Sequence, residues 1–320
     1  MKTNRQLPTS NHFQLQQLAD GVYVAINILG NAGIVDLGGR TLVFDSLFMP
    51  QAAEDLRAAA EMLIGRPIDA VINSHWHYDH MWGNQVFSAS TDIISTDETR
   101  RLIIAKKGID DYDSFMPIAE QKLESLLARF QAAESEADRR QLTPFIDDYR
   151  SIVEAKPILQ IRAPNLTFDQ RLAFYGPDRS AELIPFVKGH TESDAVLFLP
   201  QEGIAFMSDL LFIDAHPYLG DGDPDCLRHI LDKVSDLAPK ILVPGHGPVG
   251  GPDSLQLLKQ YIDTLNGLAH IMIADEKPEE MINEMAIPEP FDDWLFAAFF
   301  KYNMHLLYQR RLAEREKMVV

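Results

Sequence analysis

The chain has 320 residues, of which 46% are hydrophobic, enough to bury the core of one large domain spanning residues 1–320. Lysine and arginine number 29 against 47 aspartates and glutamates, a net charge of −18, which argues against nucleic acid or anionic membrane as a partner. The single cysteine, Cys226, excludes an internal disulfide and fits a reducing, cytoplasmic setting, and no run approaches the roughly 18 apolar residues of a membrane span.

Met1–Leu18 is polar and irregular, reads as a loosely held arm, and lacks the basic-then-apolar pattern of a secretory signal. Gly21–Ile26, Gly33–Leu37 and Thr41–Phe44 are short β-rich runs separated by Gly30-Asn31 and Gly38-Gly39, the punctuation of antiparallel hairpins. The third run ends on Asp45-Ser46. From Pro50 to Ile64, Ala52, Leu56, Ala59, Ala60 and Leu63 recur at helical spacing before Gly65. A buried strand over Ile68–Ile72 then completes a strand–helix–strand unit, and Phe87–Ser95 regains strand character.

Residues 97–154 change texture, with many Glu, Lys, Arg, Gln and Ala, and Leu123, Leu126, Leu127 and Phe130 on one face. This is a helical insertion of two or three helices, broken near Pro117 and Pro144. Its charged face is a solvated surface, a lid, or a contact between copies in a homo-oligomer. Strands resume at Gln160–Arg162, Leu166–Phe168, Leu172–Tyr175, Glu182–Val187, Ala195–Leu199, Ile204–Met207 and Lys240–Val243, with helices over Asp225–Leu237 and Ser254–Asp275. The last element, Phe291–Arg315 within the 290–316 segment, is a helix whose Trp294, Phe296, Phe299, Phe300 and Tyr302 dock on the body.

The chemistry concentrates in Asn73-Ser-His-Trp-His-Tyr-Asp-His80, where His75, His77, Asp79 and His80 fall within six residues at a strand end. In extended chain, residues two apart point the same way, so His75 and His77 face one point. Imidazole and carboxylate together suit zinc, iron or manganese, and burying three imidazoles without a metal or partner is costly. Three further apolar runs end in a ligand-type residue: His190 in Gly189-His-Thr191, Asp209 after Ser208, and His246 in Gly245-His-Gly247. A lone histidine beside glycine is more often a turn residue, but four such endings converge on one sheet edge. His12, His229, His270 and His305 lie outside the pattern.

The pattern His75-x-His77-x-Asp79-His80, Gly189-His190-Thr191, Ser208-Asp209 and Gly245-His246-Gly247 resembles the metallo-β-lactamase-fold hydrolases, with Leu18–Val24 and Asp45 matching the family's opening. The resemblance covers about residues 18–272 and implies an α/β, four-layered αββα sandwich with metals at the shared sheet edge. It implies one metal on His75, His77 and His190, a second on Asp79, His80 and His246, and Asp209 as the bridge, with water or hydroxide as a second bridge. Two zinc ions are expected, with iron or manganese as the other metals the donors accept. Two such ions lower the pKa of a bridging water toward about 7 and polarise a carbonyl. Asp79 and Asp209 are therefore the catalytic candidates. Asp45 either orients a ligand imidazole or caps the following helix.

The departures from the family's branches narrow the reaction. β-Lactamases of the fold carry Cys or Ser at Asp209, and their commonest subclass uses a lysine to hold the drug; residues 210–225 contain no Lys or Arg. β-Lactam hydrolysis is thus expected only as a side reaction. The diiron oxygen and nitric-oxide reductases have Glu in place of His77, whereas a mononuclear-iron persulfide dioxygenase branch keeps these residues and stands as the alternative. The expected activity is a dinuclear hydrolase of a small carbonyl ester, lactone, thioester or amide. His216 and Tyr218, in the loop after Asp209, are candidates for substrate contact or proton delivery, with a simple turn as the plainer reading. Trp76, Tyr78, Trp82 and Phe212 line the entrance or pack beneath it.

Overall fold

The computed structural model describes residues 7–319. Seven strands make one sheet in sequential order: β1 (Gln14–Ala19), β2 (Val22–Ile26), β3 (Ala32–Asp36), β4 (Thr41–Phe44), β5 (Ala70–Ile72), β6 (Asp92–Thr96) and β7 (Leu166–Phe168). The first four pair antiparallel and β4 to β7 parallel. The parallel step between β4 and β5 is made by α1 (Pro50–Ile64), the strand–helix–strand unit read from the sequence.

Within the long excursion between β6 and β7 lie α3 (Asp97–Lys106), α4 (Tyr112–Phe115), α5 (Ala119–Ala132) and α6 (Glu136–Ala155); the single turn α2 (Tyr78–Met81) precedes β6. The second sheet contains β8 (Leu172–Tyr175), β9 (Ser180–Val187), β10 (Ser193–Leu199), β11 (Ile204–Phe212) and β12 (Ile241–His246), in the order β12-β11-β10-β9-β8. It carries α7 (Pro224–Ser235) and α8 (Asp253–Ala274), and α9 (Ala297–Val319) ends the described chain.

The burial pattern makes this a four-layered αββα sandwich. Alternate residues of the two sheets, including Val24, Leu42, Phe44, Leu183, Leu197 and Phe206, meet in one apolar layer. On the outer face of the first sheet, Leu56, Ala59, Ala60 and Leu63 of α1 cover Ile34, Val43 and Val71. On the outer face of the second, Leu231 and Val234 of α7, Leu258 and Ile262 of α8, and Phe300 and Met304 of α9 cover Val196, Met207 and Leu242. No described helix is long and apolar enough to cross a membrane.

Local readings fail where a distant partner competes. Part of the Met1–Leu18 arm is a strand, since β1 pairs with β2; residues 1–6 lie outside the described chain. Gln160–Arg162 is irregular rather than β: side chains take its backbone groups, the Gln160 N–H donating to Gln85 Oε1 and the Arg162 carbonyl accepting from the Asn84 amide. Strand β6 starts only at Asp92, a short 3₁₀ segment (Trp82–Val86) taking up the preceding chain. Pro144 does not break α6; its ring lies on the buried face, and the helix forgoes one backbone bond there. Phe291–Phe296 is not helical. Leu295 donates its N–H to the Asp214 carbonyl and accepts from the His216 N–H, both at 2.9 Å, a bridge that holds the segment extended until α9 begins.

Phe206 shows how tightly the inter-sheet layer is filled. Its ring packs 5.9 Å from that of Phe44 and over Gly33, where a Cβ would come 2.5 Å from the ring. Phe206→Ala is expected to cost about 3–5 kcal/mol of stability, read as a lowered midpoint in urea unfolding. A shift smaller than that of an ordinary surface substitution would show that the two sheets do not depend on this contact.

Candidate metal centre

Strand β5 ends at Ile72, and the next residues turn sharply rather than continuing as strand, so His75 and His77 do not owe their approach to strand alternation. The turn is held by side chains instead. Asn73 and Asn84 donate to each other's carbonyl oxygens at 3.0 and 2.8 Å, and Asn73 Nδ2 also reaches the His80 carbonyl. Gly83 lets α2 close on the preceding loop, since a Cβ there would lie 1.9 Å from the Ser46 carbonyl oxygen. The His75 and His77 rings end 4.7 Å apart, nearly perpendicular.

The other three donors arrive from the second sheet. His190 follows β9 in a turn gathered by Asp194, whose carboxylate accepts from the N–H groups of Gly189, His190 and Thr191 and from the Thr191 hydroxyl. Asp209 lies inside β11 and not at its end: the pairing with β12 slips around Ser208, whose φ of 46° re-aims the next side chain. A Cβ at Gly245 on β12 would lie 1.8 Å from Asp209 Oδ1, so glycine there makes room for the carboxylate. His246 ends β12, stacked on Phe212 at 4.9 Å, and its loop is clamped by the Asn31 amide donating to the carbonyls of Pro244 and Gly247.

These side chains form two groups that share Asp209. The donor atoms of His75, His77, His190 and Asp209 all lie within 4.8 Å of one another, and so do those of Asp79, His80, Asp209 and His246. In the first group, His190 Nε2 is 3.1 Å from Asp209 Oδ2 and 3.0 Å from His77 Nδ1. In the second, His80 Nε2 is 3.1 Å from Asp209 Oδ1, and His246 Nε2 is 3.2 Å from Asp79 Oδ2. His12, His229, His270 and His305 belong to neither group.

The far sides of the His75, His77, His80 and His246 rings each meet a partner, that of His246 being the Ile28 carbonyl. His80 Nδ1 donates to Asp45 Oδ2 at 3.0 Å, and that oxygen also accepts from Ser208 Oγ at 2.7 Å. Asp45 Oδ1 accepts from the Ser74 N–H, and Ser74 Oγ lies 2.9 Å from both Asp45 Oδ2 and His75 Nδ1. Asp45 therefore orients the His80 ring directly and the His75 ring through Ser74; the helix-cap reading fails, since α1 has Met49 at its N-cap and no side-chain cap. His77 Nε2 pairs with Asp221 Oδ2 at 3.0 Å, leaving Nδ1 to face the group. Neither Asp221, Asp194, nor the Asn73–Asn84 pair was singled out from sequence, where each is an ordinary loop polar residue.

Electrostatics divide the donors. Burial pushes His75 and His77 toward the neutral form that a metal requires, His75 well below the ordinary imidazole range. Burial alone would raise Asp209, but the charges of His80, His246 and His190 outweigh it and hold the carboxyl well below its usual range. For His80 the carboxylates of Asp209, Asp79 and Asp45 outweigh burial and hold the ring well above its usual range. Despite their closeness, His80 Nε2 and Asp209 Oδ1 make no directed hydrogen bond, and buried His75 Nε2 has none either. Such orphaned atoms are costly in a protein interior. Converging on one spot, these imidazole nitrogens and carboxylate oxygens are a donor set that suits divalent cations, whose charge would take the place of the protons that His80, His190 and His246 hold here.

A cavity of about 380 Å³ opens on these groups, and Trp76, Tyr78, Phe212 and Tyr218 are in its wall as the sequence suggested. Trp82 lies beneath, fully buried, donating to the Lys107 carbonyl. His216 is a correction: it does not reach the cavity. Its N–H is spent on the bridge to Leu295, and its ring is buried against Tyr261, Trp294 and Phe300, with Nδ1 3.1 Å from the Tyr261 hydroxyl. Burial lowers its pKa to about 4, leaving a neutral packing residue. Tyr218 faces the cavity, its hydroxyl 3.3 Å from that of Tyr302.

Comparison with known proteins agrees with this arrangement. A family model described as the metallo-beta-lactamase superfamily matches residues 27–246. A search of curated proteins gives no match. Among solved structures, a metallo-beta-lactamase from Pontibacter korlensis superposes with a TM-score of 0.58 at 16% identity, covering 79% of this chain and 99% of that one. A metallo-beta-lactamase from Hirschia baltica gives 0.57 at 15%, covering 79% and 98%. The FIM-1 enzyme from Pseudomonas aeruginosa, in its mono-zinc form, gives 0.56 at 14%, covering 81% and 98%. At such identities the likeness is one of fold.

The Asp45 network makes a specific demand on metal affinity. Asp45→Asn keeps the size of the side chain but weakens its hold on the His80, Ser74 and Ser208 donors. Zinc affinity is expected to fall about 10–100-fold, measured by competition with a chromophoric chelator. Unchanged affinity for both equivalents would remove Asp45 from the orienting role.

Proposed function

The chain belongs to the metallo-beta-lactamase superfamily, and from that premise we propose that it is a dinuclear metal-dependent hydrolase of a small carbonyl ester, lactone, thioester or amide. One observation carries this reading: two donor groups of complementary composition share a single buried carboxylate, Asp209. His75, His77 and His190 would hold one ion, Asp79, His80 and His246 the other, with Asp209 between them; zinc is favoured, and iron or manganese suit the same donors. When bound, two divalent cations supply a water of lowered pKa and Lewis-acid polarisation of the carbonyl.

The chain's own residues do the rest. Burial raises the Asp79 carboxyl, but His80 and His246 more than offset that and keep it ionised, so it remains an acceptor able to orient the attacking water through its O–H. Asp45, Ser74 and Ser208 fix the ring planes of His75 and His80, and Asp221 fixes that of His77. Phe212, Tyr218, Phe296 and Phe299 line the cavity and keep water from the reacting carbonyl, leaving room for a compact substrate. The residue between β11 and α7 that would hold a drug carboxylate by charge is absent, since that loop has no Lys or Arg.

Elemental analysis of metal-replete protein, purified without chelator, is expected to give close to two metals per chain. Asp209→Ala should lower occupancy of the second position and reduce kcat/KM by more than about a hundredfold, beyond the effect of an outer partner, with folding intact. Against a panel of p-nitrophenyl esters, lactones, acyl thioesters, cephalosporins and phosphodiesters, turnover is expected on the first three. One iron per chain with oxygen uptake on a persulfide would replace this reading with the dioxygenase one.

A further inference from the structure

The cavity wall opposite the donor groups is built by elements outside the two sheets. Helix α6 contributes Phe145, Asp148 and Tyr149, whose spacing of three and four residues puts them on one helical face. Phe145 stands edge-on to Phe296 and Phe299, with ring centroids 5.4 and 5.7 Å away, and Phe115 lies 5.8 Å from Tyr149. Into this aromatic enclosure one carboxylate projects. Asp148 accepts from the Tyr78 hydroxyl, 2.9 Å from both its oxygens.

The charges around Asp148 are one-sided. Among the described residues that line the cavity, none is lysine or arginine. The two other acids there outside the donor groups are already engaged, Asp221 with His77 and Asp110 with Lys106 at 3.5 Å. Asp148 has a hydroxyl partner and no direct ion-pair partner; the positive charge nearest to it, on His246, is committed to Asp79 and Asp209. Burial and the nearby Asp79 charge outweigh the Tyr78 hydroxyl and His246 and push its carboxyl up to about 7. A carboxylate enclosed by aromatic faces and without a directly paired cation is costly unless its partner arrives from solution. An anionic substrate would meet repulsion there, and a wholly apolar one would leave Asp148 unpaired. An alkylammonium group satisfies both features at once, its charge set against the carboxylate and its methyl or methylene shell against the ring faces.

We propose that this cavity selects substrates carrying an alkylammonium group, held by Asp148 within the enclosure of Phe145, Tyr149, Phe296 and Phe299. This rests on the hydrolase reading and narrows its substrate class to small esters, thioesters, lactones or amides with a cationic nitrogen away from the scissile carbonyl. The inserted helix thereby becomes a determinant of specificity.

The test compares butyrylcholine with neohexyl butyrate, in which carbon replaces the quaternary nitrogen, on metal-loaded protein. The cationic ester is expected to have the higher kcat/KM by at least about tenfold, expressed mainly in KM, and Asp148→Asn should bring the ratio toward one. A readout independent of turnover is titration calorimetry with butyltrimethylammonium and with its neutral carbon isostere, where the cation should bind more tightly to the wild-type protein. Equal kcat/KM for the two esters, or equal binding of the two probes, overturns the cation site while leaving the hydrolase intact. Preferential binding of the cation by a protein that hydrolyses no member of the ester, lactone and thioester panel overturns the hydrolase reading and with it the assignment as a substrate site.

Discussion

A single carboxylate between two sheets sets the terms for this edge of the protein. Asp209 is 3% exposed and faces His75, His80, His190 and His246 within 3.9 Å. Leaving such a group ionised in the interior requires that its surroundings be fixed before any ligand arrives. The backbone is bent to that end: Ser208 and Asp45 both sit at positive φ, and Gly245 gives up its side chain. Left-handed backbone at non-glycine residues is stored strain, and here it is spent on aiming donors.

How much of this was legible depends on the range over which each feature is specified. The histidines and aspartates that cluster could be read because each lies within a few residues of a strand end, and strand ends follow from short apolar runs bounded by turn residues. The opening hairpins and the α1 crossover followed from the same local signals. The partners that hold the ligands could not be read. Asp221 meets His77 across 144 residues of chain and Ser208 meets Asp45 across 163. Asn31 reaches the Pro244–Gly247 loop from the opposite sheet. A single polar residue in a loop carries no sign of a partner so far away.

His216 fails for a related reason. Its closeness in sequence to Asp209 says that its backbone is near the site, not which way its ring turns. That direction is set by the backbone bridge to Leu295, nearly eighty residues on, which puts the ring among Tyr261, Trp294 and Phe300. The same bridge explains why the C-terminal helix begins later than its aromatic pattern suggests. One contact of two backbone hydrogen bonds thus accounts for two misreadings.

The insertion shows the converse, a segment whose composition hid its orientation. Residues 97–154 read as charged helices with an apolar stripe, and the stripe of α5 is indeed only half-buried. In α6 the helix has two faces of different use. Leu142, Ile146 and Ile152 point into packing, while Phe145, Asp148 and Tyr149 point into the cavity. The apolar layer between the sheets contains no residue of α6, α9 or the segment between α8 and α9, whereas the cavity's outer wall meets the donor groups directly: Phe296 stands 5.9 Å from the His246 ring and Asp148 accepts from Tyr78. Substitutions at positions in contact do not add independently. A change in the wall is therefore expected to be felt by the rings and carboxylates it touches, while the inter-sheet layer is left alone. An acid placed on that wall, beyond the reach of any lysine or arginine of the lining, bears on recognition; the fold has no use for it as a stabilising charge.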